Sequence, residues 1–385
     1  MSFSLGFLAP FLGALSELAA VLAAAGCAYL LIASGIVLRF KLQISSLART
    51  NFEPVSFLKP LCGAEPDLSQ RITAFHHQDY DASIQTVCGV HSDSDAALPE
   101  ILPLIGQHTN MDLVIAAHQR GQNLKVSNLI GMLKHARHDI IVISDGDIEV
   151  SADYLKGIMA ELNKPGIGAV SCLYHGLATE SIWSKQSAFG INSHFLPNSI
   201  VALALGLAQP CFGSTIAMRR TMLRSIGGLE AVADVLADDY EIGARVRTAG
   251  HGVAFPGFSV GQWCFQNSLR EMLSYEVRTA RTIRSIDPLG YFGMLLTHPF
   301  PLAICGLYAG GMAALITAGI ALASRALLCR CVERRFKLAG QPYWLVPFRD
   351  VLSFMAYICG LVGSGITWRG STYVVNWDGS LSLYY

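Results

Sequence analysis

The chain has 385 residues, 52% of them hydrophobic and only 15% charged, against about 25% charged in an ordinary soluble domain. Lysine plus arginine balances aspartate plus glutamate at 28 each, so there is no global basic field to hold nucleic acid. Long uncharged blocks lie toward both ends with most carboxylates between them, a distribution that excludes a simple soluble enzyme and a disordered chain.

The first uncharged block, Leu18–Leu38, has about the 20 residues a helix needs to cross a bilayer. No Lys or Arg precedes it, so the basic start of a cleaved signal is missing. Arg39, Lys41, Arg49 and Lys59 follow it, and the positive-inside rule places that end in the cytoplasm. Residues 1–38 are therefore expected to be an N-terminal anchor. The ten cysteines show no CxxC or Cys/His ligand spacing, which favours reduced thiols in a cytosol over disulfides or structural zinc.

Residues 52–287 alternate short apolar strands with helical patterns, as an open α/β domain with a mostly parallel sheet does. Val55–Leu61, Gln85–Val90, Met111–Ala116 and Asp139–Ser144 are the predicted strands, and Lys125–Ala136 is a predicted helix. Ligands of such sheets gather at the carboxyl ends of the strands. Asp93 follows the second strand, where a carboxylate could hold a base or ribose, or be an ordinary turn residue of Ser92–Asp95. Lys125 and Asn128 begin a helix, where a lysine could meet phosphate or solvent. Asp145-Gly146-Asp147 follows the most apolar strand; two carboxylates so spaced can take a divalent cation, as they can also form a solvated turn.

Ile200–Ala208 is apolar but too short to cross, and reads as an interfacial or re-entrant element. Asp238-Asp239-Tyr240-Glu241 opens a helical pattern. Only one of the two aspartates can cap that helix, which leaves the other as a candidate general base. Arg278, Arg281 and Arg284 recur every three residues on one helical face, suited to a leaving diphosphate or to anionic headgroups. Residues 288–385 read as a membrane domain, with a helical hairpin over 288–324 turning near Gly306 or Gly310-Gly311. A basic cytoplasmic loop follows at 325–350, then a last span at 351–368, which makes four spans in all. Glu17 is the one charge expected near a span, which speaks against an ion path.

The order of these signals resembles the membrane-bound inverting GT-A glycosyltransferases. It is most similar to glycosyltransferase family 21, the ceramide glucosyltransferase family, and within it to the branch associated with hopanoid biosynthesis. The residues carrying the resemblance are Lys59–Pro66, His76–Tyr80, Asp93, Asn123–Leu129, Ser144–Ile148, Cys172–His175 and Cys211–Thr215 with Met218-Arg219. They continue through Leu236–Tyr240, Ala280–Arg284, Pro288–Tyr291 and Trp368-Arg369. The family's (Q/R)xxRW motif is altered: Tyr275–Thr279 or Arg281–Ser285 occupies its register, and neither carries the Trp.

The resemblance implies a GT-A domain with transmembrane helices at both ends, in an integral protein of a bacterial inner membrane whose catalytic domain is cytoplasmic. It implies a UDP-sugar donor with Mg²⁺ or Mn²⁺, and a membrane-lipid acceptor: N-acetylglucosamine onto a bacteriohopanetetrol-type hopanoid, or glucose onto ceramide. On the donor side it implies Lys59, Pro60, Asp93, Lys125, Asn128 and Arg281, with Asp145 and Asp147 holding metal and diphosphate. Asp239 would be the base, with Asp238 and Arg278 beside it, and His194, Gly213, Ser214 and Thr215 would face the acceptor. A catalytically silent lipid- or nucleotide-sugar-binding scaffold is the reading from another class. The missing Trp favours it, and Asp93, Asp145, Asp147 and Asp239 oppose it.

Overall fold

The computed structural model describes residues 8–40, 52–363, 365–368, 371–375 and 380–383. Lys41, Arg49 and Arg369, used above, lie outside these. The chain divides into two compact units, one of residues 1–40, 180–207 and 266–367, the other of residues 41–179, 208–265 and 368–385. The expected 52–287 domain is thus drawn differently, because 180–207 and 266–287 group with the long apolar helices.

Among the described residues up to Phe265, the second unit carries ten strands: β1 Val55–Pro60, β2 Ile84–Val90, β3 Met111–Ile115, β4 Ile140–Ile143, β5 Ile148–Glu149, β6 Ile167–Ser171, β7 Leu173–Ala178, β8 Ile216–Arg219, β9 Gly252–Ala254 and β10 Ser259–Cys264. Seven form one sheet in the order β3-β2-β1-β4-β8-β6-β9, and β5-β10-β7 form a smaller one. β1 lies parallel to both β2 and β4, and β3 parallel to β2, while β8 runs antiparallel to β4 and β6. Every residue of β1, β2 and β4 is buried, the reason they read as continuous apolar runs rather than alternating ones. Helices return each chain to the opposite edge of the sheet. Helix Leu124–Leu133 packs on β2 through Gly89, where a Cβ would stand 2.5 Å from Asn128 Oδ1 and from Met132 Cγ.

In the other unit, three helical segments among the described residues are long and apolar enough to cross a membrane: Pro10–Arg39, Leu307–Phe336 and Tyr343–Leu361. The expected first arm of the hairpin is broken into short helices, Pro288–Gly293, Met294–Thr297 and Pro299–Cys305. Gly311 (φ 48°, ψ −123°) breaks the helical backbone close to the expected turn. The expected basic loop is also largely helical, because Leu307–Phe336 runs through Arg325, Arg330, Arg334 and Arg335. The last helix begins earlier and ends earlier than expected, at Val346–Leu361. Gly363 then takes φ +77°, and Gly365–Trp368 is a strand. Ile200–Ala208 falls partly in helix Leu196–Ala204, which is tied to the first helix by Tyr29 donating to Asn198 Oδ1 at 2.7 Å.

Gly89→Ala would push the new methyl into Met132 and Asn128. We expect a destabilisation of roughly 1–3 kcal/mol, read as a lower midpoint of thermal unfolding in detergent.

Candidate active site

β1 ends at Lys59-Pro60, β2 leads to Asp93, and β4 leads to Asp145–Asp147, so parallel strands deliver these residues to one edge of the sheet. Lys59 is fully buried, a position that a charge takes only when it is compensated. Its ammonium lies 3.7 Å from the centre of the Phe75 ring and 3.3 Å from Ser144 Oγ, and it donates to the Asp145 carbonyl. Burial pulls Lys59 down to about 7, with Asp145 and Asp147 opposing.

Gly146 lets the acidic turn lie against the loop after β1, since a Cβ there would come 3.2 Å from Leu61 and 3.3 Å from Glu65. Arg71 clamps the same place, donating to Gly146 O at 3.0 Å and pairing with Glu65 at 2.9 Å. Asp147 accepts from the Gln262 amide at 3.2 Å through Oδ2, while Oδ1 is buried without a hydrogen-bond partner. Burial, reinforced by Asp145 and Glu65, pushes Asp147 up to about 7. An all-oxygen donor set with an orphaned buried carboxylate oxygen fits a hard divalent cation, which Asp145 and Asp147 would hold.

A second acidic group joins this one through Lys125, whose ammonium stands 2.7 Å from Asp145 Oδ1 and 3.9 Å from Asp238 Oδ2. Burial opposes the charge on Lys125, but Asp145, Asp238 and Asp239 outweigh it and raise the lysine. Helix Asp238–Thr248 begins at this point, and neither aspartate is its N-cap, which is Ala237. Asp238 instead accepts from Asn123 Nδ2 at 3.2 Å. Asp239 accepts from Gly213 N–H through Oδ2 and from Tyr240 N–H through Oδ1, both at 2.8 Å. Burial and then Asp238 push Asp239 up to about 6, against Lys125 and the two N–H groups. Gly213 is the close-approach residue: a Cβ would stand 3.0 Å from Lys125 Nζ and 3.4 Å from both Asp145 Oδ2 and Asp239 Oδ2.

Other expected site residues are placed differently. Asp93 is exposed in the turn after β2 and accepts from Ser92 Oγ at 3.5 Å. Asp95 organises that turn by accepting from Gly63 and Ala97 N–H. Asn128 is buried and donates to Gly89 O at 2.8 Å, a packing tie rather than an open donor. Ser214 donates to Cys172 O at 3.0 Å, and Thr215 Oγ1 meets Tyr154 OH at 2.9 Å, so both hydroxyls serve the core. Gly213 alone of that trio touches the acidic cluster.

Within the helical unit, Arg281 and Arg284 are engaged by backbone. Arg281 donates to Val362 O at 2.9 Å and to Gly365 O, and Arg284 to Leu361 O and Gly363 O at 2.6 Å. They satisfy carbonyls that the end of helix Val346–Leu361 leaves unpaired. Arg278 lies over the Tyr275 ring, and with Leu273, Val277 and Arg281 it lines a cavity of about 600 Å³. His194 sits in a π-helical turn, 3.2 Å from Asp350 and stacked on His298 at 5.7 Å. Asp350 also pairs with Arg325 at 3.1 Å, and Arg349 pairs with Glu276 through two bonds of 2.8 and 2.6 Å. The expectation that Glu17 is the lone charge near a span is therefore corrected. Arg325, Arg349 and Asp350 are fully buried in apolar helices and had been read as loop residues. Glu65, Asn123, Gln262 and His298 were also missed as site residues. Glu65 and Asn123 stand in runs that carry the resemblance, whereas Gln262 and His298 have no local signal.

The Glycosyl transferase family 21 model matches residues 18–381. Ceramide glucosyltransferase 1 of Caenorhabditis elegans is 22% identical over 347 residues, covering 85% of this chain and 72% of the relative. A ceramide glucosyltransferase of Candida albicans is 27% identical over 125 residues, 29% of this chain and 23% of the relative. A mannosyltransferase of Pyrobaculum calidifontis, solved in complex with GDP-Man and Mn²⁺, superposes with a TM-score of 0.55 at 19% identity, covering 91% of this chain and 99% of that one. The fold is GT-A-like, and the protein is a sugar-transferring enzyme with helices suited to a membrane. The chain belongs to glycosyltransferase family 21.

Because Asp147 is pushed up to about 7, a cation there must displace a proton at lower pH. Mn²⁺ affinity, followed by electron paramagnetic resonance, should therefore fall about tenfold per pH unit below 7. Asp147→Asn should weaken binding and flatten that slope.

Proposed function

We propose that this enzyme moves one sugar from a UDP-sugar to a hydroxyl of a membrane lipid, inverting the anomeric carbon. The observation that carries the reading is Asp239, a half-buried carboxylate aimed by two backbone N–H groups and raised to about 6 beside Lys125 and Asp145. A base of that strength is ionised at neutral pH yet still able to accept a proton. The lipid hydroxyl gives its proton to Asp239 as its oxygen attacks the anomeric carbon. The bond from that carbon to the diphosphate oxygen breaks, and UDP leaves with the electron pair. A divalent cation held by Asp145 and Asp147 would stabilise charge on the diphosphate when bound. Lys125 neutralises the acidic pair next to it, and Arg278 is positioned in a groove suited to an anionic group.

For the acceptor we favour a bacteriohopanetetrol-type hopanoid receiving N-acetylglucosamine, on the resemblance of runs such as Cys211–Thr215. Glucose transfer to ceramide is the competing reading, supported by the names of the two relatives. The positive residues after the first helix support a cytoplasmic catalytic domain, in a bacterial inner membrane on the hopanoid reading.

Asp239→Asn should lower turnover by about 10²-fold or more, assayed as UDP release from correctly folded protein, and normal turnover would remove Asp239 from the role. With saturating metal, the acid limb of kcat/KM should have its midpoint near 6, because the base must be deprotonated to act. Mass spectrometry of lipids from hopanoid-making and ceramide-making hosts separates the acceptors. A hexosamine increment on a hopanoid supports the first, a hexose on ceramide the second, and no new glycolipid in either host overturns both.

A further inference from the structure

A group of three histidines lies in the sheet-bearing unit, at the edge opposite the catalytic candidates. The acidic residues follow the carboxyl ends of the parallel strands. Helices Leu68–His76 and Leu98–Gln107 run back from that edge, so their ends meet the starts of β2 and β3. There His76, His77 and His108 converge, with one ligand-capable nitrogen of each within 4.8 Å of the others. Ring centres are 4.8 Å apart for His76 and His108, 5.1 Å for His77 and His108, and 5.5 Å for His76 and His77.

The convergence is built into the backbone. His77 caps the first helix, its N–H donating to Thr73 O at 2.8 Å, and His108 caps the second by donating to Leu104 O at 3.1 Å. His76 Nδ1 stands 3.3 Å from Thr86 Oγ1 on β2, which orients its ring. Beside two of the rings, His76 and His77, opens a cavity of about 590 Å³, also lined by Gln78, Tyr80 and Asn110, with room for water as a further ligand. The nearby carboxylate of Asp79 is already paired with Lys156 at 2.6 Å. Burial, with His108 and His77 next, holds His76 below its ordinary value, which favours the neutral imidazole.

Three like groups in one place have no attraction of their own, and protonation would set them against one another. Neutral imidazoles are ligands of borderline transition cations, whereas Mg²⁺ and Mn²⁺ prefer oxygen. Zinc–nitrogen bonds of about 2.0–2.1 Å would require the rings to draw closer, which half-exposed and exposed side chains can do. We propose that His76, His77 and His108 form a three-histidine site for a divalent transition cation of the Zn²⁺ type. The site is distinct from Asp145 and Asp147 and cross-links the ends of two helices. Its role is to brace the sheet's far edge, and it takes no part in sugar transfer.

The test titrates Zn²⁺ alone into the chelator-stripped full chain in detergent, with excess Mg²⁺ present to hold the oxygen sites. The same titration is run on the His77→Ala/His108→Ala variant, which keeps every cysteine. We expect one Zn²⁺ per wild-type chain, and a loss of affinity in the variant at least as large as the ~10–100-fold that follows loss of a mere outer-shell partner. Zn²⁺ should also raise the thermal midpoint of the wild type and not of the variant, with UDP release unchanged in both. Equal Zn²⁺ affinity and stoichiometry in wild type and variant would overturn the proposal, as would absence of Zn²⁺ binding to the wild type. If circular dichroism shows the double variant misfolded, the exposed single substitution His77→Ala is judged by the same criteria.

Discussion

The site rests on an imbalance of charge in a partly buried cluster. Asp145, Asp147, Glu65, Asp238 and Asp239 gather around Lys59, Lys125 and Arg71, five carboxylates to three cations. Burying even paired ions is costly, and an excess of one sign more so. The excess shows as proton affinity: Asp147, Asp238, Asp239 and Glu65 are all raised, first by burial. A divalent cation has the charge that would relieve this excess, so the same imbalance that destabilises the apo cluster favours cation binding. The backbone contributes by small means, through N–H groups on Asp239 and close approaches at Gly146 and Gly213.

The helical unit solves a related problem with closer pairing. Arg349 and Asp350 are neighbours on one helix and turn to different partners. Arg349 takes Glu276 and the Gln186 carbonyl, and Asp350 takes Arg325 and His194. Ions buried in apolar helices are expensive and therefore mark positions where helices must hold one register. By pairing outward in two directions, the start of helix Val346–Leu361 links Leu269–Ile286 to Leu307–Phe336. The arginine face read as a diphosphate clamp is partly used in the same way, since Arg281 and Arg284 finish the end of that helix.

Much of the α/β core was legible because fully buried parallel strands are continuous apolar runs. The four strands expected from such runs match β1 to β4 within a residue or so. The acidic motifs were legible for a related reason: charges placed directly after those runs have no packing purpose in a strand. The helical region was harder to read. Arg325 looked like the start of a basic loop because a charge in an apolar helix is recognisable only with its partner, and Asp350 lies 25 residues on. Ser214 and Thr215 looked like acceptor-side polar groups, and only their bonds to Cys172 and Tyr154 show them to be core residues.

The sequence by itself determined the membrane-associated class, the α/β domain, the order of strands along the chain, and which carboxylates stand at strand ends. These are local properties, set by composition and by spacing over a few residues. Only the tertiary structure decided which charges meet. Lys125 joins Asp145 to Asp238 across more than a hundred residues, and three histidines from two helices share one corner. Pairing of that kind depends on chain return through the sheet, and no short-range pattern encodes it.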